Sequence, residues 1–150
     1  MRATEEPSAP SGALLDDLLC FDLYAASRAM TGAYRPLLGP LDLTYPQYLV
    51  LQALSRRPGV GIGELGTLLR LDYGTLSPLL RRLGERGLVR RTRDASDLRA
   101  VEVELTDAGR ALGPELDRVR CEIQRTLDLS AEEVDLLQAT LRRLIAQVGP

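Results

Sequence analysis

The sequence predicts a mainly α-helical chain carrying one small β-hairpin, and three observations lead there. Gly61–Leu71 and Thr75–Arg86 each place leucines three and four residues apart, with the turn chemistry of Asp72-Tyr73-Gly74 between them. Leu88–Arg93 and Ala100–Leu105 follow at once as strand-like runs around Asp94-Ala95-Ser96-Asp97-Leu98. Longer segments with a single apolar stripe flank this unit on both sides. Two short helices, a turn and then a basic hairpin have the order of a winged helix-turn-helix. The predicted fold class is therefore a winged helix-turn-helix with N- and C-terminal dimerisation helices.

Taken in order, residues 1–13 are polar and rich in Pro and Ser, and read as a flexible tail. They lack the basic and apolar regions of a secretory signal, and no run is apolar enough for a membrane span, so the expected location is cytoplasmic. Residues 14–57 form the N-terminal helical part. Leu14, Leu18, Phe21, Ala25 and Ala29 recur at helical spacing up to the break at Gly39-Pro40. Thr44 then opens a second helix as N-cap, with Gln47 at the capping-box position and Pro46 in the first turn. Its apolar side is Tyr48, Leu51 and Leu54, and Arg57-Pro58-Gly59 ends it.

Residues 58–105 are the winged helix-turn-helix. Leu76, Leu79, Leu80 and Leu83 point its second helix inward, and Gly87 stands where a helix-terminating glycine belongs. Residues 106–150 give two more helices. Thr106 starts one carrying Ala108, Leu112, Leu116, Val119 and Ile123. Ser130, with Glu133 three residues on, starts the other, with Val134, Leu137, Leu141, Leu144 and Val148. Such narrow stripes suit a dimer interface. The alternative is packing onto the chain's own domain, which a small core rarely needs.

Composition narrows the chemistry. There is no histidine, and the two cysteines lie far apart, so neither zinc nor haem is expected and no cofactor is implied. All 19 basic residues are arginine, and the net charge is −2. Seven arginines nevertheless fall between residues 81 and 99, inside an otherwise acidic chain. A local basic stretch is a better footprint for phosphate contact than the total charge, and its bland alternative is a solvated charged face. The partner expected is double-stranded DNA. Tyr73, Thr75, Ser77, Arg81 and Arg82 are placed to meet base edges and phosphates from a helix in the major groove. Arg93, Asp97 and Arg99 belong to the wing, where an aspartate can hold an arginine fork for a narrow minor groove.

One thiol stands apart. Cys20 sits on the first helix, about two turns from its expected start, with Tyr24 four residues later on the same face and Tyr34 and Tyr45 following. A thiolate is the form that attacks peroxides, and phenol hydroxyls can donate hydrogen bonds to it without adding charge. Oxidation gives a sulfenic acid that a second thiol traps as a disulfide, and Cys121, off its helix's apolar stripe, is a candidate. The competing reading is inert packing, the usual fate of a cysteine on an apolar helix.

The stretches LLCFDLYAASRAMTGAYRPLL, LDLTYPQYLVLQAL, LDYGTLSPLLRRL and DLRAVEVELTDAGRAL together resemble the MarR family of regulators. Within it they are most similar to the organic hydroperoxide sensor (OhrR) subgroup, through the residues around Cys20 and the LTYPQY segment. The resemblance runs from about Leu14 to Leu112. It implies a dimeric repressor bound to a pseudo-palindromic operator and not an enzyme. Cys20 would react with organic hydroperoxide, Tyr34 and Tyr45 of the partner subunit would hydrogen-bond to it, and Tyr24 would line the same region. Cys121 would lie near the resolving cysteine of a two-cysteine subgroup. Three positions depart from the pattern: Tyr73 where a small residue is common, Leu98 at the wing tip, and Gly84 inside the reading helix. Two other readings remain open, a ligand-gated regulator answering a phenolic or lipophilic effector and a thiol peroxidase.

Overall fold

The computed structural model describes residues 15–93 and 101–149. The expected tail (1–13) and the wing turn with Asp97 and Arg99 lie outside the described residues. Helix α1 is Leu19–Leu38, and a 3₁₀ turn, Gly39–Leu41, follows it. Then come α2 (Tyr45–Arg56), β1 (Val60–Gly61), α3 (Ile62–Leu69) and α4 (Tyr73–Glu85). The wing is β2 (Val89–Arg93) and β3 (Val101–Leu105), and the chain closes with α5 (Asp107–Ala111), α6 (Gly113–Leu127) and α7 (Ala131–Val148).

Helix α2 sits at the centre. Its Tyr48, Val50, Leu51 and Leu54 are buried in a core that takes Leu65 from α3, Leu76, Leu80 and Leu83 from α4, and Leu116 and Val119 from α6. Its start is fixed as the sequence indicates. Gln47 N–H donates to Thr44 Oγ1, and Thr44 N–H donates to Gln47 Oε1 at 2.9 Å. Ser130 and Glu133 close the same reciprocal cap on α7.

The sheet has three strands where a hairpin was expected, in the order β1-β3-β2. All pairs are antiparallel, with Val60 opposite Val103 and Val89 opposite Leu105. The extra strand is two residues long and contains a glycine, so it leaves no alternation to read. Alternation in β3 puts Val103 and Leu105 into the core, while Glu104 meets Arg90 directly across the ladder at 2.7 Å.

The turn between α3 and α4 also falls earlier than expected. Arg70 adopts a left-handed conformation (φ 53°), and Leu71 N–H reaches back to the Gly66 carbonyl. Asp72 is then an N-cap, accepting from Thr75 N–H at 2.8 Å, which draws Tyr73 and Gly74 into the first turn of α4. At the other end of α4, Gly87 (φ 69°) forms the expected stop. Leu88 N–H donates to Leu83 O and Gly87 N–H to Gly84 O, with Leu83 and Leu88 both buried.

Two further expectations are corrected. The helix starting after Thr106 is two helices, because Pro114 has no N–H to continue the ladder from Arg110, and Ala108 is exposed and not on an inward stripe. Helix α1 starts at Leu19 after a turn at Leu15–Asp17, so Cys20 is its second residue and not two turns in.

The terminal helices are the exception to good burial. α7 buries no residue in the single chain, and Leu136 and Val148 are 71% and 74% exposed. On α1, Leu19, Phe21 and Tyr24 are exposed, and only Leu38 at its far end is buried.

Close approach at Gly109 fixes α5 against the base of the wing. A Cβ there would lie 2.1 Å from the Leu88 carbonyl oxygen, whereas one at Gly84 meets nothing nearer than 3.9 Å. Gly109→Ala is therefore expected to destabilise the protein by about 2 kcal/mol or more, and Gly84→Ala to stabilise it by up to ~1 kcal/mol. Urea denaturation of the two variants measures both.

Candidate nucleic-acid interface and thiol site

Helix α4 turns Leu76, Leu80 and Leu83 into the core, which leaves Thr75, Arg81 and Arg82 on the outer side. Ser77 lies on the flank and is half-buried. Tyr73, in the first turn, is 65% exposed. Thr75 Oγ1 donates to Asp72 Oδ2 at 3.1 Å, so its hydroxyl oxygen remains as an acceptor. The capping bonds hold the Asp72 carboxyl below the usual carboxylate range. Arg93 ends β2, and its side chain, like Asp97 and Arg99, lies outside the described residues.

Not every arginine of the basic stretch faces outward for a ligand. Arg86, just past α4, donates from Nη2 to the Leu41 carbonyl at 3.0 Å and from Nη1 to the Asp42 carbonyl. It thereby ties the elbow between α1 and α2 to the end of α4. Arg90 pairs with Glu104, and Arg81 stands loosely, at 3.9 Å, beside Glu85. Arg82 and Arg91 are exposed. Charge counting along the sequence could not separate these roles, because the partners of Arg86 and Arg90 are 14 to 45 residues away.

The tyrosines form a second centre. Tyr34, near the end of α1, packs its ring 4.7 Å from Tyr45 and 5.2 Å from Tyr48 of α2 (centroid distances). Burial and the neighbouring Tyr48 push the Tyr34 phenol up to about 12. Burial raises Tyr45 as well. Both are hydroxyl donors throughout the physiological range. They border an open cleft of about 670 Å³ whose other walls include Met30, Ile123 and Val134.

Cys20 and Cys121 are both free thiols and both exposed. Fourteen residues of unbroken helix separate Cys20 from Tyr34, about 21 Å along the axis. The structure thus brings Tyr34 and Tyr45 together but leaves Cys20 of the same chain away from them. Tyr24, one turn beyond Cys20, accepts a hydrogen bond from Arg28 Nη1 at 3.1 Å. Tyr48, Gln52 and Arg120 join the phenol cluster without having been singled out. In the sequence Tyr48 stands out only as an apolar helix position, although its spacing of three from Tyr45 puts both on one face.

The sequence model of the MarR family matches residues 43–101. The HTH-type transcriptional regulator TtmR of Methylorubrum extorquens is 52% identical over 69% of this chain, which spans about half (53%) of that relative's length. The organic hydroperoxide resistance transcriptional regulator of Bacillus subtilis is 39% identical over 87% of this chain and 89% of its own. The chain belongs to the MarR family. The structure of reduced AbfR bound to DNA matches this MarR protein with a TM-score of 0.73 and 31% identity, over 87% of this chain and 91% of that one. As a MarR protein the chain is a DNA-binding transcriptional regulator and not an enzyme, which sets aside the thiol peroxidase reading.

Two measurements check this geometry. Arg82→Ala should weaken operator binding and lower the slope of log affinity against log salt by about one per subunit, as read by fluorescence anisotropy. The raised Tyr34 phenol has a stability consequence with a definite sign. Below pH 10 the folded and unfolded chains both hold the proton. Above it the unfolded chain releases it first, so stability falls as pH rises from 10 toward about 12. Denaturation midpoints across that range should decline less steeply in Tyr34→Phe.

Proposed function

We propose that this protein is a homodimeric, cytoplasmic repressor that releases its operator when an organic hydroperoxide oxidises Cys20. The observation that carries this reading is the pairing of two protonated phenols, Tyr34 and Tyr45, at an open cleft that the thiol of their own chain does not reach. A second copy answers that geometry and also the unburied apolar faces of α1 and α7. The name of the Bacillus subtilis relative points to the same signal. In the dimer, Tyr34 and Tyr45 of one subunit donate to Cys20 of the other, with Tyr24 alongside.

The chemistry balances simply. The Cys20 thiolate attacks the terminal peroxide oxygen, the O–O bond breaks, and the departing alkoxide takes up a proton to become the alcohol. The resulting sulfenic acid condenses with a second thiol, with loss of water, to a disulfide. Cys121 is the candidate within the protein. Loss of the thiolate removes the acceptor that holds α1 against the partner's phenols, and the spacing of the two reading helices shifts from one turn of DNA.

In this division of labour residues 14–57 sense and dimerise, 58–105 bind DNA and 106–150 complete the dimer. Tyr73, Thr75, Ser77, Arg81 and Arg82 enter the major groove, and Arg93, Asp97 and Arg99 form the wing contact to a pseudo-palindromic operator. No helix among the described residues is long and apolar enough to cross a membrane. A second reading, a regulator gated by a small phenolic or lipophilic effector, is favoured by a separate cavity of about 370 Å³. Leu54, Leu105 and Leu116 line it, with Gln52 and Arg110 at its polar edge.

Cys20→Ser is expected to bind operator like the parent and to stay bound under cumene hydroperoxide in a gel-shift assay. Release of that variant by peroxide contradicts the redox reading. Release of a protein with both cysteines changed to Ser by a phenolic compound supports the second one.

A further inference from the structure

One arginine of the basic stretch joins two parts of the chain that are far apart in sequence. Arg86 donates from Nη2 to the Leu41 carbonyl at 3.0 Å and from Nη1 to the Asp42 carbonyl, and its Nε stands 3.9 Å from Asp42 Oδ2. The two hydrogen bonds span 45 and 44 residues, and no other side-chain hydrogen bond among the described residues reaches so far along the sequence.

Both sides of the contact are built for it. The elbow carbonyls lie past the end of α1, where the backbone offers helix carbonyls no further donors. Asp42 adopts the left-handed conformation (φ 52°, ψ 44°). The carbonyl carbons of Leu41 and Asp42 are the two ends of that small φ torsion, which keeps them side by side. A planar guanidinium serves two neighbouring acceptors at once, and a charged donor makes the stronger bond. On the other side the Arg86 backbone is held by the end of α4: its N–H donates to Arg82 O, and just beyond it Leu88 N–H donates to Leu83 O. Beside the contact an open hollow of about 430 Å³, bordered by Thr44, Gln47, Arg82 and Glu85, separates the elbow from the last turn of α4. Packing does not fill that gap; the guanidinium spans it.

We propose that Arg86 is a positioning residue for operator binding: its clamp on the elbow fixes the orientation of α4 against α1 and α2, and so the distance between the two α4 helices of a dimer. This rests on the reading above that α4 of each subunit enters the major groove. With Nη1 and Nη2 engaged on the elbow, Arg86 is not itself a phosphate ligand. Its effect on binding is geometric, because a dimer must meet two half-sites at one spacing. Without the clamp α4 samples a wider range of orientations, and a smaller fraction of dimers matches any one spacing. Affinity for the best spacing then falls, and poorer spacings are better tolerated.

The test uses the full chain and a duplex selected by the parent protein from a random pool, with copies carrying one base pair more or fewer between the half-sites. Fluorescence anisotropy is read at several salt concentrations. Arg86→Met is expected to weaken binding to the selected duplex about ten-fold and to narrow the preference over the altered spacings about three-fold or more. The slope of log affinity against log salt should stay at the parent value. Arg86→Lys, which keeps one donor and the charge, should fall between the parent and Arg86→Met, and it gives the same comparison if the methionine variant folds poorly. A merely structural arginine would lower the denaturation midpoint of the variants and leave the spacing preference as in the parent. An arginine on phosphate would lower the salt slope by about one per subunit. Either result overturns the clamp while leaving α4 as the groove element. If Arg81→Ala and Arg82→Ala leave affinity and slope at parent values, the α4 reading itself fails, and the clamp's role in binding fails with it.

Discussion

An α-helix cannot fold back on itself, and that constraint organises this molecule. Helix α1 is a single rod of 20 residues with Cys20 at one end and Tyr34 near the other. The far end is anchored: Leu38 is buried, and Tyr34 packs against Tyr45 and Tyr48 of α2. The near end carries Leu19, Phe21 and Tyr24 into solvent. At the opposite terminus α7 has a full capping box and a regular stripe, yet buries nothing. A helix of that kind gains stability from packing an apolar face and little from its own backbone. In the proposed dimer the exposed thiol, the phenols at the cleft and the exposed stripes of α1 and α7 all meet the second copy of the chain.

The phenol cleft and helix α4 are parts of one packed body. The core runs without interruption from Leu38 and Leu43 through α2 to Leu76, Leu80 and Leu83 of α4. Close-packed protein interiors shift between discrete arrangements and do not deform smoothly. Arg86 adds a polar fastening at the elbow. Its guanidinium holds the Leu41 and Asp42 carbonyls, four and three residues before Tyr45, from a position one residue beyond α4. The surface ion pairs contribute far less, being mostly exposed and between close neighbours on one helix.

Much of the fold was legible in the sequence because it is locally encoded. Thr44 with Gln47, Ser130 with Glu133, and Gly87 each mark a helix end through a hydrogen bond spanning a few residues. The order of helix, turn, helix and hairpin fixed the architecture. The misreadings have physical causes of the same kind. Gly74 looks like a turn residue, but the reversal is made by Arg70 in a left-handed conformation that nothing in its side chain advertises. Strand β1 is too short to show a period. The break before Gly113 follows from the backbone chemistry of Pro114 within a stripe that reads as continuous. At the site, the candidate phenols were visible as residue types near a thiol. Tyr48 and Arg86 were not, because their importance lies in contacts between distant segments.

The central claim is that the reactive thiol and its phenols come from different subunits, and mixed dimers test it most directly. One dimer combines a Cys20→Ser chain with a Tyr34→Phe/Tyr45→Phe chain, so that its single Cys20 faces intact phenols across the interface. The other combines a parent chain with one bearing all three changes, so that its single Cys20 faces only phenylalanines across the interface but keeps both phenols on its own chain. Stopped-flow oxidation by cumene hydroperoxide should be fast in the first and slow in the second. Fast oxidation in the second with slow oxidation in the first would contradict the account.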